Sequence, residues 1–159
     1  MKTLVAYFSA GGKTAAVAKK MAQMTGADLF EIRPEQPYTK EDLDWTDPQA
    51  RCSLENADDR DVPYVGQIDD MDQYDLIFLG FPIWYDRAPN IVRTFCRAHD
   101  WTGKSVALFA TSGGSGIEEA AEKLLPFLQG AAIVHTQIMN EGEGAKKAPG
   151  KKKKKRRGK

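Results

Sequence analysis

The chain has little of what metal centres and disulfide frameworks are made from. Two cysteines, Cys52 and Cys96, and two histidines, His99 and His135, are spread over 159 residues. Cysteines so few and so placed exclude a disulfide scaffold and read as reduced thiols of a cytoplasmic protein. Neither histidine has a cysteine or carboxylate at metal-ligand spacing. His99 reads as a cation at the negative end of a helix dipole, and His135 as a structural mid-strand residue. No apolar run is long enough to cross a membrane, and nothing resembling a leader is expected before the first strand.

Charge of either sign is not lacking, but it is unevenly distributed. Residues 145–159 hold ten Lys/Arg and no acid, which leaves 1–144 with thirteen basic residues against twenty-two acidic ones, a net of −9. The expected organisation is a single acidic domain over 1–140 and a basic, disordered tail over 141–159. The tail has no interleaved aromatics, so base stacking is excluded and no specific nucleic-acid partner is expected. An anionic membrane, an acidic partner and a plain solvated tail stay open.

What the chain does have is alternation. Short apolar runs at Thr3–Phe8, Ala27–Ile32, Asp75–Phe81, Ser105–Ala110 and Ala131–Met139 read as strands. Helices fall between them. Lys13–Met24 carries Val17, Met21 and Met24 on one face, and Pro89 opens a helix with Ile91, Val92 and Phe95. A capping box at Ser115–Glu118 starts another, with Ile117, Ala120, Ala121, Leu124 and Leu125 buried and an end before Pro126. Tyr38–Asn56 is expected to hold one further helix, and Asp58–Asp72 a connecting loop. Uninterrupted apolar strands separated by helices imply an α/β fold with a parallel sheet covered on both faces.

Such sheets take ligands beyond the carboxyl ends of their strands. Three unusual loops lie there. In the first, Ser9, Ala10, Gly11, Gly12, Lys13 and Thr14 join a strand to a helix, where free amides and the helix dipole favour a phosphate. A triphosphate-wrapping loop would need glycine five positions before Gly12, where Tyr7 stands, and no glycine triplet of the dinucleotide type exists. A single terminal phosphate fits. The second loop offers Pro82, Ile83, Trp84, Tyr85 and Asp86, an aromatic pair stiffened by proline and suited to a flat conjugated ring. Capping of the core by Trp84 and Tyr85 is the other reading. The third loop, Thr111, Ser112, Gly113, Gly114, Ser115 and Gly116, offers amides with almost no side-chain bulk to a ring edge.

Together these motifs resemble the flavodoxins, in particular the bacterial short-chain type with a Tyr-Pro-Ile-Trp-Trp loop and a Thr-Ser-Gly-Gly-Ser-Gly loop. The resemblance spans about Met1 to Asn140. It implies a flavodoxin-like three-layer sandwich, with a five-stranded parallel sheet of order 2-1-3-4-5 and FMN as cofactor. It puts the FMN phosphate on Ser9–Thr14 and the ring between the loops Pro82–Asp86 and Ser112–Gly116, with Trp84 or Tyr85 against its face. The implied role is electron transfer between a reductase and an acceptor protein. The alternatives are an FMN-dependent NAD(P)H oxidoreductase acting on quinone-like acceptors, or a flavodoxin-like scaffold without cofactor.

Three departures from the family pattern stand out. Gly11 and Lys13 replace a threonine and an asparagine of the phosphate loop, exchanging a hydroxyl for an ammonium. Asp86 and Arg87 stand where relatives have glycine and a small residue. A carboxylate there lowers the ring's potential unless Arg87 neutralises it or both side chains face solvent. Finally, from Asn140 onward no apolar stripe supplies the family's last helix. One sheet face is then expected to be uncovered and open to a homodimer contact.

Overall fold

The computed structural model of the protein describes residues 2–140. Five strands form one parallel sheet: β1 (Lys2–Tyr7), β2 (Asp28–Glu31), β3 (Tyr74–Pro82), β4 (Ser105–Thr111) and β5 (Ala132–Ile138). Their spatial order is β2-β1-β3-β4-β5, the expected 2-1-3-4-5. The helices are α1 (Lys13–Thr25), α2 (Arg51–Asp58), α3 (Asn90–Arg97) and α4 (Glu118–Leu124).

Side-chain alternation along the strands divides the core into two layers. Val5, Tyr7 and Phe109 pack under Val17 and Ala18 of α1, while Leu4, Ala6, Ile77, Leu79 and Leu108 pack with α3 and α4 on the other face. Gly80 lets the Phe109 ring cross the sheet surface: a β-carbon at 80 would stand 2.1 Å from that ring. Among the described residues α1 is the one helix on its face, and Val134, His135 and Thr136 of β5 are exposed. The expected absence of a last helix and the expected disorder of the basic tail both concern residues 141–159, outside those described.

Several local expectations are corrected. Met24 is 67% exposed and Leu125 48%, so neither belongs to a buried stripe. Leu125 lies in a short 3-10 turn, Leu125–Phe127, where Pro126 has already ended the α-helical periodicity. Ser115 does not cap α4; Ile117 occupies the cap position without a side-chain bond, and the helix starts at Glu118. Pro89 is the N-cap of α3 rather than its first residue. The interval 33–72 holds α2, a two-residue ribbon pairing Arg33–Pro34 with Tyr64–Val65, and 3-10 turns at Glu41–Leu43 and Met71–Gln73.

His99 lies beyond α3, and its ring packs on Phe95 at 4.8 Å and Trp101 at 6.2 Å. Burial, then the nearby Lys104 ammonium, pushes its pKa below 6.5. Its surroundings disfavour the cation expected at a helix end.

Candidate functional site

In a sheet of order 2-1-3-4-5 the connections leave β1 and β3 in opposite directions, which opens a crevice at their carboxyl ends. Ladder bonds continue past the strand ends and hold the loops level there. Phe8 N–H donates to Gly80 O at 3.0 Å, Ile83 N–H to Thr111 O at 3.0 Å, and Met139 N–H to Ala110 O at 2.8 Å.

The first loop turns on Gly12, whose φ of +95° disfavours any side chain. Gly12 N–H donates to Ser9 Oγ at 3.1 Å, and the first helical bond runs from Ala16 N–H to Gly12 O. The amides of Lys13, Thr14 and Ala15 therefore have no intrahelical acceptor and point out of the α1 N-terminus. Thr14 is buried. Its hydroxyl meets that of Thr111 at 2.8 Å, which ties the first loop to the third.

The second loop is a tight reverse turn. Trp84 N–H donates to Arg87 O at 2.9 Å and Arg87 N–H to Trp84 O at 3.1 Å, with Tyr85 and Asp86 at φ of +55° and +63°. Two positive φ values in succession are normally the province of Asn-Gly. Here the turn is held from behind. Tyr85 Oη lies 2.9 Å from Ser53 Oγ on α2, and Arg87 donates to Asn56 O at 2.9 Å and pairs with Asp59 at 3.3 Å. Arg87 is thus committed to Asp59 and not to Asp86.

Trp84 is set by two rings, Phe8 at 5.6 Å and Tyr38 at 5.4 Å, both edge-on. Tyr38 is in turn anchored by donating to the buried Glu55 at 2.6 Å, and Arg51 pairs with Glu55 at 2.9 Å while stacking 3.8 Å from the Tyr38 ring. Burial and the Glu55 hydrogen bond push the Tyr38 hydroxyl well above the ordinary tyrosine range. These three residues are absent from the sequence-based site. The Arg51–Glu55 spacing, one helical turn, was their available signal.

A cavity of about 410 Å3 lies between the loops, lined by Lys13, Pro82, Ile83, Trp84, Thr111, Ser112, Gly113 and Asn140. Seven of these eight belong to the sequence-based site; Asn140, just beyond β5, is new, and its Oδ1 accepts from Ser112 N–H at 2.9 Å. Ser9, Ala10, Gly11, Gly12, Thr14, Gly114, Ser115 and Gly116 are on the same loops without lining the cavity. Tyr85 and Asp86 also lie off its wall, and Tyr85 turns instead toward Cys52 and Ser53.

A flavodoxin family model matches residues 2–150. The chain belongs to the flavodoxin family. Two solved structures are similar to this flavodoxin over nearly their whole length. A candidate flavoprotein from Bacteroides eggerthii is 40% identical, with 91% of each chain covered and a TM-score of 0.82. One from Bacteroides uniformis is 39% identical, covering 91% of this chain and 93% of its own, with a TM-score of 0.85. A flavoprotein from Lactobacillus acidophilus, solved in complex with FMN, shares the fold at 21% identity and a TM-score of 0.65, over 86% of this chain and 92% of its own. No curated protein matches the chain. In this flavodoxin no described helix is long and apolar enough to cross a membrane.

Proposed function

We propose that the protein binds FMN in the cavity between its three loops and transfers electrons between a reductase and an acceptor protein in the cytoplasm. One observation carries the reading. Lys13 at a helix N-terminus, Trp84, Ser112 and Gly113 all line a single cavity. Its volume of about 410 Å3 falls in the ~300–1,000 Å3 range of small-molecule sites. The donor chemistry fits the group: first-turn amides and an ammonium for a phosphate, an indole for a flat ring, and glycines without bulk at the ring edge. No β-carbon at Gly11, Gly12, Gly113 or Gly114 would touch protein atoms, so these backbones are open to approach. The Lactobacillus acidophilus protein of the same fold, solved with FMN, supports the choice of flavin.

FMN supplies reversible one- and two-electron transfer when bound. The residues do the rest. Lys13 and the amides of Lys13, Thr14 and Ala15 hold the phosphate against the positive end of α1. Trp84, fixed by Phe8 and Tyr38, excludes water from one ring face. Asp86 is exposed and lies off the cavity wall, so solvent screens its charge even though Arg87 is committed to Asp59.

Titration of the purified full chain with FMN, followed by quenching of flavin fluorescence, tests binding directly. Failure to bind would leave a cofactor-free scaffold. Once loaded, bleaching only through a reductase supports the carrier role; rapid bleaching by NAD(P)H alone would make the protein an oxidoreductase.

A further inference from the structure

A second cavity, of about 190 Å3, shares no lining residue with the first and opens between α3, α4 and the end of α2. Arg87, Arg93 and Lys123 line it with Asp59 and the Phe127 ring. Three cations and one carboxylate therefore form the wall, and that carboxylate is already satisfied; Asp61, 3.5 Å from Arg93, pairs with the cluster from outside the wall. Asp59 accepts from Arg93 at 2.7 Å and from Arg87 at 3.3 Å, and these contacts, led by the Arg93 hydrogen bond, hold its pKa below the usual carboxylate value. Lys123 pairs with Glu119 at 2.7 Å, but both side chains are about half exposed, so water competes for the ammonium.

Arg93 is the decisive residue. Its side chain is only 12% exposed, and its Nε–H is buried without a hydrogen-bond partner. A buried guanidinium donor calls for an acceptor, and the wall of the cavity itself carries more positive than negative charge. The planar fork of arginine matches carboxylate and phosphate oxygens. The Phe127 ring, 5.7 Å from the Arg93 guanidinium, forms an apolar wall that limits hydration. We infer that this cavity binds a small oxyanion, the carboxylate or phosphate group of a small molecule, with Arg93 Nε–H, Arg87 and Lys123 as its donors. Arg87 also closes the Trp84–Arg87 turn, so the occupant would bear on the loop that holds Trp84.

The test is NMR on the 15N-labelled full chain, observing the Nε–H signal of Arg93, which is assigned by its loss in Arg93→Lys. Sodium phosphate and sodium acetate are titrated separately, with sodium chloride holding ionic strength constant. The expected result is a saturable shift with half-saturation at about 1 mM or below, in one arm or both. The responding arm identifies the group bound. Lys123→Gln, at the exposed rim, should weaken the response by about threefold while leaving the spectrum otherwise folded. A shift that never saturates, that chloride reproduces, or that Lys123→Gln leaves unchanged overturns the site. Should Arg93→Lys fail to fold, the signal is assigned through its contacts with Phe127 and the same comparison decides. Phosphate held at the first loop would move the Lys13 amide and not Arg93 Nε–H, so the outcome is independent of the FMN reading.

Discussion

The hydroxyls of Thr14 and Thr111 lie 2.8 Å apart, joined across 97 positions of sequence. Both residues are buried, at 1% and 5% exposure, so each hydroxyl has the other in place of water. That one contact locks the α1 N-terminus to the glycine-rich loop. Thr111→Val keeps the shape but strands the Thr14 hydroxyl, at a cost of ~1–3 kcal/mol. Urea denaturation should show the loss, and the double variant Thr14→Val/Thr111→Val should recover part of it. A double-variant loss equal to the sum of the two single-variant losses would mean that the two hydroxyls are not coupled.

Gly80→Ala drives a β-carbon to 2.1 Å from the Phe109 ring in the centre of the sheet. Overpacking of this kind costs ~1–3 kcal/mol. Phe109→Leu in the same chain should relieve a large share of the penalty, read as the non-additive term of a double-mutant cycle in thermal denaturation.

Lys13 makes no ion pair with any described residue and faces the large cavity. Lys13→Gln should weaken FMN binding by about tenfold at low salt, the worth of one charge-assisted contact. The difference from the parent should shrink as salt is added. An unchanged dissociation constant would remove Lys13 from the phosphate site.

Trp84→Ala removes the indole from the cavity wall and should loosen FMN by ~10–100-fold. Tyr38→Phe acts one step behind. It keeps the ring against Trp84 but takes a donor from the buried Glu55, so stability should fall by ~1–3 kcal/mol with little change in FMN affinity. A large affinity loss from Tyr38→Phe would show that the Glu55 bond, rather than the ring, orients Trp84.

His99 carries a pH dependence of definite sign. Its folded pKa lies below 6.5 because burial, then Lys104, disfavours the imidazolium. The unfolded chain therefore binds the proton more readily between the two pKa values, and stability rises with pH through that window. The contribution is complete above about pH 6.5 and is lost as pH falls toward the folded pKa. Urea midpoints between pH 5 and 8 should follow this slope, and His99→Phe should flatten it.

Much of the fold is legible because the signals are local. Leu76–Leu79 is uninterruptedly apolar, as a strand buried on both faces must be, and Gly26, at φ +74°, ends α1 where a helix needs a left-handed residue. The loops read just as directly, since glycine, proline and hydroxyl residues advertise turns. What stayed hidden depends on contacts distant in sequence. Nothing local in the run around Tyr38 shows that its ring braces Trp84, or that Glu55 is buried beneath it. His99 looked like a helix-ending cation until Phe95 and Trp101 enclosed it.

By itself, the sequence determined the alternation of strands and helices, the glycine turn at Ser9–Thr14 and the two loops beside it. Periodicity, glycine placement and helix-end chemistry are properties of short segments, so they survive without a structure. The tertiary structure alone decided which side chains share a cavity. It brought Asn140 beside Ser112, turned Tyr85 away toward α2, and committed Arg87 to Asp59. Those outcomes rest on which donors find which acceptors across the fold, and that matching exists only once the chain has packed.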